Sequence, residues 1–151
     1  MMFALTALMR TAHVVAGGVW VGGSVVYLYV IAPALRASGA PPETGAAIAA
    51  LFRRLVNACI GVVLVTGVYL VFDRLSSLSV GAAYVIVLAV KIALALTMIF
   101  LAVYQAQEAR RVASLRGRLW KVAPLWILAL GLATFLLGGV LTGMFEAALT
   151  R

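Results

Sequence analysis

The sequence predicts an all-α fold, a four-helix transmembrane bundle in which residues 1–151 form a single domain. Hydrophobic residues make up 66% of the chain and charged residues 11%, and the mean hydropathy is +1.17. Soluble globular domains contain about 45–50% apolar and about 25% charged residues. The apolar residues are grouped in four segments, each close to the length of about 20 residues that a membrane-spanning helix needs.

The four predicted spans are separated by three connections. The spans are approximately Thr11–Leu35, Leu55–Phe72, Val80–Tyr104 and Val122–Phe145. The N-terminal residues are interpreted as part of a retained first span rather than a cleaved signal peptide. The reason is that Arg10 is the first charge and the apolar run after it exceeds the about 7–15 residues of a signal core.

The connections predict how neighbouring spans are joined. Residues 37–45 contain Pro41, Pro42 and two glycines and predict a turn, after which residues 46–54 favour a helical extension of the second span. The link over residues 73–79 is short, so spans two and three should be antiparallel neighbours. The connection over residues 105–121 is long enough for the third helix to continue beyond the bilayer.

The basic residues predict the orientation of the chain in the membrane. The chain contains twelve Lys and Arg residues and four Asp and Glu residues, which gives a formal net charge of +8. Eight of the cations lie in the first and third connections: Arg36, Arg53, Arg54, Arg110, Arg111, Arg116, Arg118 and Lys121. Only Arg10, Arg74 and Arg151 lie on the opposite side. The positive-inside rule therefore predicts cytoplasmic long connections and external termini. The expected location is the cytoplasmic membrane of a bacterium. The charge is explained by topology, so no nucleic-acid partner is expected.

One stripe of polar and small residues follows a single face of the first span. Its members recur at steps of three and four: Arg10, His13, Gly17, Trp20, Ser24 and Tyr27. Polar groups in a membrane helix turn towards protein, because exposing them to hydrocarbon is costly. His13 is the only histidine, and imidazole serves as a metal ligand, a haem ligand, a proton carrier or a structural group. Trp20 also fits the aromatic belt found at membrane interfaces.

A second stripe lies on the third span. Lys91 is near the middle of that span, with Tyr84 and Met98 seven residues to either side of it on the same helical face. No Asp or Glu occurs inside any predicted span. The partner of Lys91 is therefore expected among backbone carbonyls, hydroxyl groups or an anionic ligand, unless its amine is neutral.

These residues together resemble a known family. The pattern consists of Arg10-x-x-His13, Val19-Trp20-Val21-Gly22-Gly23, Pro33 at the end of span one, Phe52-Arg53-Arg54-Leu55, Thr66-Gly67-Val68-Tyr69-Leu70, and Tyr84 followed by Lys91. It resembles the copper-resistance D (CopD) type of membrane domain, which is similar in outline to the HemJ-type protoporphyrinogen oxidases. The resemblance to CopD-type domains implies copper tolerance or uptake. The similarity to the HemJ-type proteins implies haem b binding with a redox step. It also implies that His13 and Lys91 are the functional pair.

Copper and haem make different demands on the chain. Copper favours several thioether, thiol or imidazole ligands, for which the spans offer His13 and Met98, with Met9 near the outer end. Haem b needs one axial imidazole, a flat slot and cations for its propionates, which His13, Gly17 and Arg10 could supply. The second axial position is then empty, filled by methionine or lysine, or supplied by a second copy in a homodimer.

Three functions follow from the sequence. The leading one is a haem b-binding protein that acts in electron transfer or porphyrin handling with a membrane redox partner, as an oxidoreductase or an electron carrier. The second is a copper-tolerance or copper-transport subunit. The third is a non-catalytic assembly subunit whose polar stripes meet the helices of a partner. A homo-oligomer in the lipid bilayer is expected.

Overall fold

A computed structural model describes the backbone of residues 2–76, 81–111 and 118–149, and the side chains of residues 3–76, 81–104 and 125–147. Throughout these ranges the regular structure is helical, which confirms the all-α class. The α-helices are α1 Met2–Val26, α2 Ala32–Ala37, α3 Pro42–Leu75, α4 Ala82–Arg111 and α5 Arg118–Leu149, and a π-helical turn, Tyr27–Ile31, joins α1 to α2.

Four helical stretches are long and apolar enough to cross a membrane. They are Phe3–Ala37, Pro42–Leu75, Ala82–Tyr104 and Leu125–Ala147. Each predicted span falls on one of them, so the chain is a multi-pass integral membrane protein. The first helix begins at Met2, well before the predicted start at Thr11. The orientation of the termini stays a prediction.

The first span does not close at Pro33. Proline lacks a backbone N–H and its ring crowds the carbonyl four residues earlier, which here is that of Tyr29. The helix widens here into a π-helical turn, in which the Ala32 N–H donates to the Tyr27 carbonyl. Pro33 then lies in the first turn of α2, where a missing N–H is tolerated. The helical path consequently continues to Ala37.

The observed turn is shorter than the one predicted over residues 37–45. Only residues 38–41 are non-helical, and Gly39 has a φ of +62°, a backbone conformation that glycine adopts without strain. α3 begins at Pro42, and the predicted extension over residues 46–54 is continuous with the second span. The 34 residues of α3 correspond to about 51 Å, against about 30 Å for the hydrocarbon core.

The chain divides into two compact units, Met1–Leu70 and Val71–Arg151. In the first unit α1 and α3 pack against each other in antiparallel fashion. The Thr6 hydroxyl lies 3.1 Å from the Tyr69 hydroxyl near the start of α1. Further along α1, a Cβ at Gly23 would lie 3.3 Å from the Phe52 ring. Residue numbers thus fall along α3 as they rise along α1.

In the second unit α4 and α5 also pack in antiparallel fashion. The rings of Tyr84 and Phe145 lie 6.4 Å apart between centroids. Two helical turns after Tyr84 on α4, the Lys91 amine lies beside Gly138 of α5. The guanidinium carbon of Arg74, at the end of α3, lies 3.6 Å from the centroid of the Phe145 ring. The predicted continuation of the third helix past its span is confirmed, because α4 extends to Arg111.

Candidate intramembrane histidine site

The single histidine is hydrogen-bonded between the two helices of the first unit. His13 is half-buried on α1, and its Nδ1 atom lies 2.9 Å from the Thr66 hydroxyl oxygen on α3. Thr66 is only 4% exposed and is the buried polar side chain of the described chain. The contact therefore lies within protein, away from lipid.

The Thr66 hydroxyl determines which nitrogen of His13 carries the proton. A threonine hydroxyl has one hydrogen to donate, and here Oγ1 lies 2.6 Å from the Val62 carbonyl, four residues earlier on the same helix. With its hydrogen directed to Val62, the hydroxyl accepts a hydrogen bond from His13. This network assigns the proton of the neutral imidazole to Nδ1 and its lone pair to Nε2.

Gly67 provides the space that the imidazole ring occupies. A Cβ atom at this position would lie 3.2 Å from Cε1 and 3.7 Å from Nδ1 of His13. The first of these distances is shorter than ordinary van der Waals contact. Adjacent residues of α3 thus have complementary roles, since Thr66 holds an edge of the ring and Gly67 makes room for it.

Three further members of the first stripe, at and after Trp20, make contacts within the protein. Trp20 is 2% exposed, so it is a buried residue rather than part of an interfacial belt. Ser24 donates to the Trp20 carbonyl at 2.8 Å. Tyr27 stacks on Phe52 with ring centroids 4.7 Å apart and an interplanar angle of 7°.

Arg10 and Gly17 flank His13 along α1. Arg10 is exposed, one helical turn before His13. A Cβ at Gly17, one turn after His13, would meet no atom within 4 Å. His13 is therefore flanked along α1 by a cation on one side and by unfilled space on the other.

The second stripe belongs to the second unit and packs on α5. Tyr84 is 8% exposed and Met98 is 5% exposed, whereas Lys91 is half-buried. The Lys91 amine lies 3.2 Å from where a Cβ of Gly138 would be. Among the described residues, Lys91 makes no hydrogen bond and no ion pair.

The part of the chain that the structure describes contains no cluster of three or more His, Cys, Asp or Glu able to hold a metal ion. Cys59 is a buried free thiol on α3.

Sequence reasoning found His13 but assigned no role to Thr66 or Gly67 beyond their place in a motif. A threonine in a span usually satisfies a carbonyl of its own helix, and Thr66 does so as well. The signal that pairs it with His13 is the antiparallel register of α1 and α3. That register is a property of packing and not of either helix alone.

Comparison of the chain with protein-family models, with curated proteins and with solved structures finds no match. The resemblance drawn from the sequence motifs stays a hypothesis. The functional argument accordingly depends on the geometry of the sites.

Proposed function

We propose that this protein is a haem b-binding integral membrane protein whose axial ligand is Nε2 of His13, and that it acts in electron transfer or porphyrin handling. The observation that carries the proposal is the hydrogen bond between Nδ1 of His13 and the Thr66 hydroxyl. Metal-binding histidines almost always donate their other N–H to an oxygen acceptor, which fixes the tautomer and orients the ring.

The residues next to His13 are compatible with a haem to whose iron each chain contributes a single ligand. The open position at Gly17 leaves room for a flat macrocycle beside the imidazole. Arg10 supplies a positive charge one turn away, which a propionate can pair with. Haem requires no further protein ligand to the iron, so one histidine is sufficient.

The bound haem would supply one-electron redox chemistry, and the protein would tune it. Thr66 restricts rotation of the His13 ring and, by accepting its N–H, makes the imidazole more basic. Gly67 lets the ring approach α3 closely enough for this hydrogen bond.

The test is an absorption spectrum of the purified protein, oxidised and reduced, after expression with ample haem. We expect a Soret band that is lost in His13→Gly and restored when imidazole is added, because free imidazole can take the place of the missing ligand. Ser24→Ala, on the same helix face but bonded only to its own backbone, should leave the spectrum unchanged.

Three results would contradict the proposal. They are the absence of a Soret band, a band that is unchanged in His13→Gly, and stoichiometric copper in protein that lacks haem. Where haem is present, the ratio of haem to chain distinguishes one haem for each chain from one haem shared by two copies. The shared arrangement would supply the second axial ligand from the second copy.

A further inference from the structure

Lys91 lies deep in its membrane span. It is nine residues after the start of the span at Ala82 and thirteen residues before its end at Tyr104. At the rise of an α-helix these separations correspond to about 14 Å and about 20 Å along the axis. Both exceed the length of a lysine side chain, so the amine cannot reach either membrane surface by extending along the helix.

The surroundings of the amine are apolar. The amine lies against the backbone of α5 at Gly138. The adjacent Gly139 is exposed, and a Cβ there would meet no atom within 4 Å. Two turns to either side, Tyr84 and Met98 are buried on the same face of α4. The amine thus lies on the seam between α4 and α5.

The protein groups near this seam do not satisfy the amine. The Gly138 carbonyl accepts from the Thr142 hydroxyl at 3.1 Å. Glu146, the acidic residue of α5 with a described side chain, is eight residues from Gly138, or about 12 Å along the axis. No described residue forms a hydrogen bond or an ion pair with Lys91. An intramembrane lysine with no partner among the described residues is a candidate ligand site.

We propose that Lys91 binds the carboxyl group of a long-chain fatty acid at the seam between α4 and α5. One amine matches one carboxyl group, and an oxygen acceptor supplies the missing partner. A fatty acid in its neutral form can enter the hydrocarbon, whereas the phosphodiester of a phospholipid stays charged at the interface. Exposed apolar residues on both helices, including Val90 next to Lys91 and Phe135 one turn before Gly138, offer a surface for the acyl chain. The proposal does not depend on haem binding.

The chain contains two lysines, which makes the test direct. Lysine labelled with ¹³C at Cε gives one NMR resonance for Lys91 and one for Lys121, and Lys91→Met assigns them. In nanodiscs of zwitterionic lipid, we expect oleate to shift the Lys91 resonance saturably while the Lys121 resonance shows no saturable change. Methyl oleate, which has the same chain without the free carboxyl group, should bind at least tenfold more weakly.

A second pair of variants keeps the test independent of the folding of Lys91→Met. Gly138→Ala places a Cβ 3.2 Å from the amine and should weaken oleate binding several-fold by displacing it. Gly139→Ala adds a Cβ at an exposed position with no neighbour within 4 Å and should leave the contacts of the amine unaltered, with an affinity within twofold of the unmodified protein. The proposal is overturned if oleate does not shift the Lys91 resonance, if methyl oleate shifts it equally, or if both glycine variants bind oleate like the unmodified protein.

Discussion

A Cβ atom at Gly67 would lie 3.2 Å from Cε1 of His13, so the imidazole ring occupies space that only a glycine leaves on this face of α3. We expect Gly67→Ala to push the ring away from Thr66 and to destabilise the protein by about 1–3 kcal/mol, the usual cost of overpacking. Thermal unfolding of the purified protein, together with its haem content, measures the effect.

Gly61→Ala is the matched control for this substitution. Gly61 lies on the same helix, and a Cβ there would meet nothing within 4 Å. Alanine is favoured over glycine in a helix by about 0.5–1 kcal/mol, so this variant should be as stable as the unmodified protein or more stable. Equal stabilities of the two variants would show that the ring does not depend on the space at Gly67.

Thr66→Val should remove the oxygen acceptor of the His13 N–H while keeping the shape of the side chain. Because the lost bond is a single interhelical one in a membrane protein, we expect a loss of about 0.6–1.5 kcal/mol in stability. Since His13 is the only histidine, ¹⁵N-histidine NMR of the haem-free protein also reports the tautomer directly. The resonances should show a protonated Nδ1 that becomes less populated in Thr66→Val.

Thr66→Ser keeps the hydroxyl and serves as the control. It should preserve both the tautomer and the haem spectrum. If the unmodified protein carries its proton on Nε2, the assignment made from the Thr66 and Val62 contacts is wrong, and the main support for haem ligation is lost with it.

The sequence was sufficient to predict the four spans, because hydropathy and segment length depend on composition alone. It also indicated that His13 and Lys91 mark sites, since ionisable groups are costly in hydrocarbon. It did not predict Thr66 and Gly67 as neighbours of His13, or Gly138 as the neighbour of Lys91. These pairings depend on helix register, which side-chain packing determines between elements distant in sequence.

The course of the first span shows a second limit of sequence reasoning. A proline in a helical pattern predicts an end or a kink, and Pro33 was expected to end the span. The π-helical turn accommodates the proline without ending the helix, since the Ala32 N–H reaches the Tyr27 carbonyl. The same region places Tyr27 against Phe52. The local helix defect and the packing between α1 and α3 therefore have to be considered together.

The stack of Tyr27 on Phe52 should contribute measurably to the packing of α1 on α3. For rings 4.7 Å apart and nearly parallel, a double-mutant cycle of Tyr27→Leu and Phe52→Leu should give a coupling of about 0.5–1.5 kcal/mol. Unfolding in mixed detergent provides the free energies. Phe3, which is 87% exposed, is the control partner for Tyr27, and a coupling as large in that cycle would mean that the stack has no special role.

The contact of Arg74 with Phe145 should stabilise the second unit through a cation–π interaction. The guanidinium carbon lies 3.6 Å from the ring centroid, so Arg74→Gln and Phe145→Leu should couple by about 0.5–1 kcal/mol. Arg74 has other interactions, and a cycle is needed to isolate this one. Phe135→Leu, an exposed position on the same helix, should show no coupling with Arg74→Gln. A coupling of zero at Phe145 would contradict the prediction.

The orientation of the chain can be tested from the two ends of α3. Ser38 and Ser76 are exposed and lie just beyond either end of this helix, and the single cysteine, Cys59, is buried between them. In a Cys59→Ala background, the positive-inside rule predicts that Ser76→Cys reacts with a membrane-impermeant maleimide in intact cells. Ser38→Cys should react only after the membrane is permeabilised, because its side of the membrane carries eight of the cations. The reverse labelling pattern would place His13 and the N-terminal half of α1 near the cytoplasmic face, and electrons for a haem at His13 would then exchange with cytoplasmic partners instead of external ones.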